Sequence, residues 1–155
     1  MQIEIPDELA AAVAEIAATT GQDIDGLVSE MVTEAIKMRR VPGIVFADGA
    51  TGRRARVGGT GIEVFEVIDL YELFGRDRQK VQESLPQLDT YQINMAIAYY
   101  EAYPEDIAPR LKSDEQVQAE LEALWAKHPK TSPHGPGRLR QASGASSSTS
   151  SKRSA

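Results

Sequence analysis

The segments GRRARVGGTG, residues 52–61, and LPQLDTYQINMAIAYYEAYPEDI, residues 85–107, lie in the stretch that decides the fold of this chain, residues 42–107. Residues 44–46 are apolar as in a β-strand, and basic and apolar side chains alternate over residues 54–57 as in a returning strand. Asp and Gly residues between the two runs suit a turn. The sequence therefore predicts a β-hairpin that points several cations outward.

Helical patterns follow the hairpin. Apolar residues recur every three or four positions from Val64 to Phe74, and Gly75 is suited to end that helix. A short second helix contains Val81, and Pro86 closes it. These patterns predict one longer and one short amphipathic helix.

A third helix begins at a capping-box pattern formed by Asp89 and Gln92, and the break at Pro104 ends it. Two short strands followed by three helices, with a tight link between the last two helices, are typical of helix-turn-helix domains that bind DNA. In such a domain the third helix enters the major groove. The side chains predicted to reach bases are then Tyr91, Gln92, Met95 and Tyr99.

Gln92 is the best of these candidates, because Gln can bond adenine through two atoms. The third helix contains no Lys or Arg, and Glu101 near its end disfavours phosphate. A purely structural role for this helix is therefore an equal alternative. The cations of the hairpin, Arg53, Arg54 and Arg56, are predicted to contact phosphates or groove edges.

An acidic stripe accompanies the first of the three helices, because Glu63, Glu66, Asp69 and Glu72 recur every third residue. Such a stripe is typical of a solvated helix face, and this is the favoured interpretation. The alternative is a surface that repels phosphate and meets a basic protein.

The four segments PGIVF (42–46), GRRARVGGTGIEVFEV (52–67), LPQLDTYQINMAIAYY (85–100) and EAYPEDI (101–107) together resemble the domain-of-unknown-function family number 433. The resemblance covers about 66 of 155 residues. It implies a winged or homeodomain-like helix-turn-helix domain. Members of that family are linked to bacterial toxin–antitoxin pairs, commonly beside a nuclease of the PIN-like class.

Residues 1–40 form a separate pattern of strand, helix and helix. Ile3 and Ile5 alternate with polar residues as in a half-buried strand, Gly21 is suited to end a first helix, and Asp23 can cap a second. Elements of this size do not close a core alone. The segment IEIPDELAAAVAEIAATTGQDIDGLVSEMVTEAI resembles the ribbon-helix-helix family, whose intertwined dimers place paired strands in the DNA major groove.

The positions that would read DNA in that family carry different chemistry here. Gln2 and Glu4 occupy the outward strand positions, and Asp23 and Asp25 oppose an anion at the start of the second helix. Dimerisation through residues 1–40 is therefore favoured over direct DNA binding. An ordinary helical hairpin packed on the body is a further alternative.

A final amphipathic helix is predicted over residues 112–127. Ser113 and Gln116 form a capping-box signature, and the helix either packs on the core or binds a partner's groove through an apolar stripe. From Ala126 onward there are six Lys or Arg residues and no acid, on a Ser, Gly and Pro background, so residues 128–155 are predicted to be disordered. The candidate partner-binding residues are Val117, Leu121, Leu124, Trp125, Arg138 and Arg140.

The composition is typical of a soluble chain, with 41% hydrophobic residues and a net charge of −6. No apolar run approaches the roughly 20 residues that a bilayer crossing needs, so we expect no membrane anchor. The absence of cysteine excludes disulfides and thiolate sites and is compatible with the cytoplasm, where we expect the protein.

Catalytic chemistry is weakly represented. His128 and His134 lack the spacing of helical metal ligands, and the glycine-rich residues 58–61 lack the Gly-Lys-Ser/Thr of a phosphate-binding loop. Carboxylates at residues 101–106 leave a Mg²⁺ site as a minor alternative. We expect no enzyme, no catalytic or metal residues and no cofactor.

These patterns predict a mainly α chain with short β. Residues 1–40 form a ribbon-helix-helix-like dimerisation unit, 41–111 a helix-turn-helix domain, 112–127 a helix and 128–155 a basic tail. The leading hypothesis is a dimeric antitoxin that neutralises a PIN-like ribonuclease and binds operator DNA to regulate its own operon. The alternative is an interaction module that inhibits or scaffolds a partner without binding DNA.

Overall fold

The computed structural model describes residues 1–50 and 52–127, over which the chain is mainly helical with one two-stranded antiparallel sheet. This confirms the mainly α composition with short β. The predicted tail, residues 128–155, lies outside the described residues. In chain order the elements are α1 (Asp7–Thr20), α2 (Ile24–Arg40), β1 (Ile44–Gly49), β2 (Gly52–Val57), α3 (Val64–Leu73), α4 (Arg78–Ser84), α5 (Thr90–Ala102), a short 3₁₀ helix (Pro104–Asp106) and α6 (Ala108–Lys127).

Residues 1–6 form no strand in the single chain. The prediction of a strand around Ile3 and Ile5 is therefore wrong for the single chain. The alternation is present, but a β-strand needs a neighbour to accept and donate its backbone hydrogen bonds. Among the described residues no other segment pairs with this one. Pro6 then precedes the first turn of α1.

The two N-terminal helices are bounded as the sequence predicts. Gly21 follows α1 in the left-handed conformation, with φ of 70°, which an L side chain rarely adopts. The Asp23 carboxylate accepts the Gly26 N–H at 2.8 Å and caps α2. Ala17 of α1 and Leu27 of α2 are buried, so the two helices pack on each other through a small apolar contact.

The predicted β-hairpin is confirmed. Its register pairs Ile44 with Val57 at the open end and Gly49 with Gly52 at the turn. Asp48 and Gly49, expected in the turn, are the last residues of β1. At the base, Gly58 donates its N–H to the Gly43 carbonyl at 2.7 Å, and a Cβ on Gly58 would lie 2.9 Å from that oxygen.

The core of the body lies between the hairpin and helices α3, α4 and α5. The α3 helix presents Val64, Val67 and Ile68 to it, as the apolar period predicts. Burying one such side chain fully stabilises the fold by about 1.5–3 kcal/mol. The most completely buried side chains are Ile44, Val57, Val64, Val67, Ile68, Val81, Leu88, Ile93, Ala96, Ile97 and Tyr99.

The capping box predicted for α5 is also confirmed. The Asp89 carboxylate accepts the Gln92 N–H at 2.7 Å, and the Gln92 side chain accepts the Asp89 N–H at 2.9 Å. At the start of α4 the Asp77 carboxylate accepts the N–H groups of Gln79 and Lys80. Both short links into helices are therefore closed by local side-chain hydrogen bonds.

The last helix begins earlier than predicted. α6 starts at Ala108, five residues before Ser113, so the capping-box signature at Ser113 and Gln116 lies inside the helix. The short 3₁₀ helix ends at Asp106 and leads directly into it. Residues Met1–Val117 form one compact unit, which includes both α1–α2 and the hairpin body, and a second unit begins at Gln118.

Candidate interaction surfaces

The N-terminal helices carry an outward-facing apolar surface. Over residues 1–40, Ala17 and Leu27 are the buried apolar side chains, and most other large apolar residues are exposed. Val32, for example, is 53% exposed. The outer apolar face, as it is called below, comprises Ile3, Ile5, Leu9, Ile16, Ile24, Met31, Val32 and Ile36.

Glu34 and Lys37 of α2 face the body, where both form ion pairs. At 3.6 residues per turn, Ser29, Thr33 and Lys37 follow one another along one side of the helix, away from Met31. These polar residues line a cleft of about 400 Å³ between α2, the hairpin and the 3₁₀ segment, called the α2 cleft below. Its charged lining residues are Glu30, Glu34, Lys37, Arg53, Arg54, Glu63, Asp106 and Arg110.

Arg53 is bound to α2 within the cleft. Its Nε donates to Glu34 Oε1 at 2.6 Å, and its Nη2 donates to Glu34 Oε2 at 2.9 Å, a two-pronged contact. The Glu34 side chain is only 12% exposed. Hydrogen bonding to Glu34 raises the pKa of Arg53, and Asp48 at 3.4 Å adds to this.

The other two hairpin arginines are also turned toward the protein. Arg56 is half-buried, and its Nη2 donates to the Asp48 carbonyl at 3.2 Å. Arg54 is half-buried and lines the α2 cleft. Glu34 holds Arg53 and the Asp48 carbonyl holds Arg56, so these two cations are not the free outward groups that the sequence predicts.

Lys37, Asp106 and Tyr99 form a second connection across the cleft. Lys37 Nζ lies 2.6 Å from Asp106 Oδ2, and the same oxygen accepts the Tyr99 hydroxyl. Lys37 also lies 4.8 Å from the centre of the Tyr103 ring, in cation–π range. Burial, followed by the hydrogen bond to Asp106, raises the pKa of Tyr99. The phenol therefore stays protonated in the folded chain.

Arg110 at the start of α6 makes the third connection. Its Nη1 lies 2.5 Å from Glu63 Oε2, and its guanidinium stacks 3.9 Å from the centre of the Phe65 ring. The ion pair joins α6 to the start of α3. Arg53, Lys37 and Arg110 thus lie on three separate elements, and each has an acidic partner in the α2 cleft.

The acidic stripe on α3 is largely used inside the protein. Besides its pair with Arg110, the Glu63 N–H donates to the Glu66 carboxylate at 2.8 Å, and Glu72 pairs with Arg76 at 3.0 Å. Desolvation, followed by the nearby Asp114, raises the pKa of Asp69. The stripe is therefore not a continuous row of free carboxylates.

The predicted base-reading side chains of α5 lie largely against the hairpin base. Gln92 donates its Nε2 to the Gly58 carbonyl at 3.3 Å in addition to its capping role. Met95 is half-buried near Gly43, and Tyr91 is exposed, with its hydroxyl 3.5 Å from the Pro42 carbonyl. Tyr99 is fully buried, so its predicted contact with bases is wrong. These four residues do not form one free surface.

The candidate partner-binding residues of α6 are exposed where the structure describes them. Val117 belongs to the first unit, and Leu121 and Leu124 belong to the second. Trp125 is 71% exposed. Arg138 and Arg140 lie outside the described residues.

The α2 cleft residues Glu34 and Lys37 were not singled out from the sequence. The available signal was the position of Glu34 seven residues after Leu27, on the apolar side of the helix, where a charge needs a partner. Their partners Arg53 and Asp106 are 19 and 69 residues distant along the chain. Only the folded chain brings these side chains together.

Neither a metal site nor a membrane-spanning helix is found among the described residues. No group of three or more His, Cys, Asp or Glu side chains there is arranged to hold a metal ion. None of the helices described is both long and apolar enough to cross a membrane. Comparison of the chain with models of protein families, with curated proteins and with solved structures gave no match.

Proposed function

We propose that this chain is a dimeric antitoxin that binds and neutralises a PIN-like ribonuclease and binds the DNA of its own operon. The observation that carries the proposal is that most large apolar side chains of α1 and α2 are exposed, while Glu34 and Lys37 of α2 bind the body. An amphipathic helix of a self-sufficient monomer buries the apolar side instead. The outer apolar face therefore requires a second protein surface.

The size of the outer apolar face makes self-association energetically favourable. Fully burying one Val, Leu, Ile or Met side chain stabilises by about 1.5–3 kcal/mol, and contiguous exposed apolar patches usually mark an interaction site. The face contains eight such side chains, of which Val32 and Met31 lie on α2 and Leu9 on α1. Their burial offsets the cost of association.

A second copy of the chain is the occupant that fits best. Residues 1–6 carry the alternation of a strand but have no partner in the single chain, and a two-fold related copy would supply one. The order of this segment, α1 and α2 resembles the ribbon-helix-helix family, which dimerises in this way. The same contact would cover the outer apolar face and complete the β-ladder.

The nuclease partner is supported by the resemblance of residues 42–107 to family 433. The exposed apolar residues of α6, Leu121, Leu124 and Trp125, suit a partner groove. In the proposed mechanism this helix docks on the nuclease. A Lys or Arg of the basic tail, such as Arg138 or Arg140, then reaches the metal-binding acids of the nuclease.

The DNA-binding part of the proposal has a competitor. Arg53 and Gln92 are both engaged within the protein, which favours an interaction module that binds no DNA. Contact between Arg53 and phosphate would require exchange of its Glu34 partner. The alternative function is therefore inhibition of the nuclease without regulation of the operon.

Co-expression with the product of the adjacent reading frame tests nuclease binding. We expect the two proteins to co-purify and the ribonuclease activity to be suppressed. Trp125→Ala should weaken both effects, whereas Leu73→Ala, which removes an exposed apolar side chain of α3, should not. Separate elution with unsuppressed activity would reject the antitoxin assignment.

Retention of the upstream promoter fragment over a range of salt concentrations separates the two alternatives. If Arg53 contacts phosphate, Arg53→Ala weakens binding and flattens its salt dependence. Glu34→Gln should strengthen binding, since it weakens the competing ion pair. Failure to retain the fragment even at low salt would favour the interaction module.

A further inference from the structure

We propose that the groove between α4 and α5 reads a base in duplex DNA, with Asn94 as the specificity-determining residue. The proposal rests on the DNA-binding part of the proposed function. The groove has a volume of about 290 Å³ and lies within the first compact unit. Its lining residues are Arg78, Gln79, Gln82, Thr90, Ile93 and Asn94.

The orientation of α5 directs attention to this groove. Gln92, Met95 and Tyr99 are turned toward the hairpin base or the core, so they are poorly placed to meet a large ligand. Thr90 and Asn94, four residues apart on α5, lie on a different side of the helix and line the groove. Polar side chains therefore gather on the side of α5 that faces α4.

Asn94 contributes an unsatisfied acceptor. Its Oδ1 is enclosed and has no hydrogen-bond partner among the described residues. Buried polar atoms are normally paired, and an exception calls for an explanation. The last side-chain torsion of Asn is broad, so the amide can turn toward the groove at low cost. A ligand with an N–H donor would satisfy this oxygen.

The groove wall beside Asn94 is fixed by hydrogen bonds. The Gln82 Nε2 donates to the Leu88 carbonyl, and the Thr90 hydroxyl donates to Gln82 Oε1 at 3.4 Å. Gln82 thus joins α4 to the start of α5 and holds the two sides of the groove. These hydrogen bonds therefore hold the side chains next to Asn94 in place.

One cation, Arg78, lines the groove without an acidic partner among the described residues. It is exposed and forms no ion pair within that part of the chain, in contrast to Arg53 and Arg110. Asp77 already accepts the first N–H groups of α4, so phosphate contact here would use side chains. A free cation beside a polar groove suits the backbone of a nucleic acid.

The chemistry of Asn94 favours adenine. An Asn amide accepts from the adenine N6 amino group and donates to N7, a pairing that distinguishes adenine from the other bases in the major groove. Once the amide is turned toward the groove, its Oδ1 supplies the acceptor half of this pairing and its Nδ2 the donor half. Arg78 would hold a flanking phosphate.

Selection of the full chain against random duplex DNA, followed by affinity measurements on the selected duplex, tests the proposal. Asn94→Ala should lower affinity for that duplex by roughly 5- to 150-fold and lose a preference for adenine at one position, with little change on an unselected duplex. Arg78→Ala should weaken both duplexes and reduce the salt slope by about one unit per chain. Thermal unfolding of each variant checks that the fold is retained.

Unchanged sequence preference and affinity in a folded Asn94→Ala protein would overturn the assignment while leaving DNA binding in place. If the wild-type chain retains no duplex at low salt, the DNA-binding function and the assignment both fall. Leu73→Ala, which alters an exposed α3 residue outside the groove, is the control and should behave as wild type.

Discussion

The N-terminal helices and the hairpin body use similar apolar residues in opposite ways. In the body Ile97 is 1% exposed, whereas Val32 of α2 is 53% exposed although both lie in the apolar stripe of a helix. The body closes its core within one chain, and the N-terminal helices do not. Apolar periodicity thus predicts that a helix side will be covered, but the covering surface can belong to another chain.

The two regions are nevertheless joined by polar contacts. Glu34 and Lys37 on α2 bind Arg53 and Asp106 of the body, so the side of α2 that carries them faces inward. Part-buried ion pairs such as these contribute little net stability, because the cost of desolvation offsets the attraction between the charges. Their main effect is to fix the orientation of the two elements they join. They hold α2 in an orientation that leaves the outer apolar face open.

The largest difference between the regions should appear when one apolar side chain is shortened in each. Ile97→Ala leaves a cavity in the closed core and should lower the free energy of unfolding by about 2–5 kcal/mol at every protein concentration. Val32→Ala should cost little in dilute protein and more in concentrated protein, because in the proposed dimer its partner surface belongs to a second copy. Denaturant unfolding at two protein concentrations measures both effects.

Val32→Ala could instead lower the free energy of unfolding as much as Ile97→Ala does, at every protein concentration. That result would contradict the difference between the two regions. It would mean that Val32 is covered by its own chain. Leu73→Ala is the matched control, since Leu73 is 72% exposed on α3 and lies outside the outer apolar face. Its effect should be small at both concentrations.

The next largest effect concerns the connection between the regions at Tyr99. Tyr99→Phe removes a hydrogen bond to the charged Asp106 and should cost about 1.5–3 kcal/mol near neutral pH. Burial raises the pKa of Tyr99, so the unfolded chain releases this proton near the ordinary value of 10.0 while the folded chain retains it. The stabilisation is therefore present below pH 10 and is lost as the pH rises further.

Unfolding measured between pH 7 and pH 11 tests this connection. The difference between wild type and Tyr99→Phe should shrink above pH 10, since the wild type alone carries the buried phenol. Tyr91→Phe, at an exposed position, should show no such change. A constant difference between wild type and Tyr99→Phe across this range would contradict the protonation argument.

The smallest of these effects concerns the helix caps. Asp23→Ala and Asp89→Ala each remove a side-chain acceptor for a helix N–H, and each should cost about 0.5–2 kcal/mol. Asp23 caps α2, which carries part of the outer apolar face, so its loss should also weaken the proposed dimer. Asp89→Ala should affect stability alone, as measured by unfolding and sedimentation of both variants.

Local features of the fold were predictable because the residues that determine them are close in sequence. The Gly21 stop, the Asp23 cap, the hairpin and the Asp89–Gln92 capping box each depend on a few neighbouring residues. A capping signature also occurs inside helices, which explains the wrong start expected for α6 at Ser113. Local chemistry therefore determined most element boundaries.

The candidate surfaces were less predictable because they depend on distant partners. The sequence identified Arg53 as a cation in a strand, but its Glu34 partner lies on α2. It also placed Tyr99 on the outer side of α5, where a helical period without a known neighbour leaves the rotation open. Residues 1–6 show the same limit, because strand pairing depends on a second segment.

Sedimentation at several protein concentrations gives the mass of the full chain in solution. This mass tests most directly whether a second copy covers the outer apolar face. We predict twice the chain mass of 16.9 kDa for the wild type and for the control Leu73→Glu. The double variant Met31→Glu, Val32→Glu should sediment as a single chain, because two carboxylates would be buried in the contact. A wild-type monomer, or a dimer that the double variant leaves intact, would contradict the account.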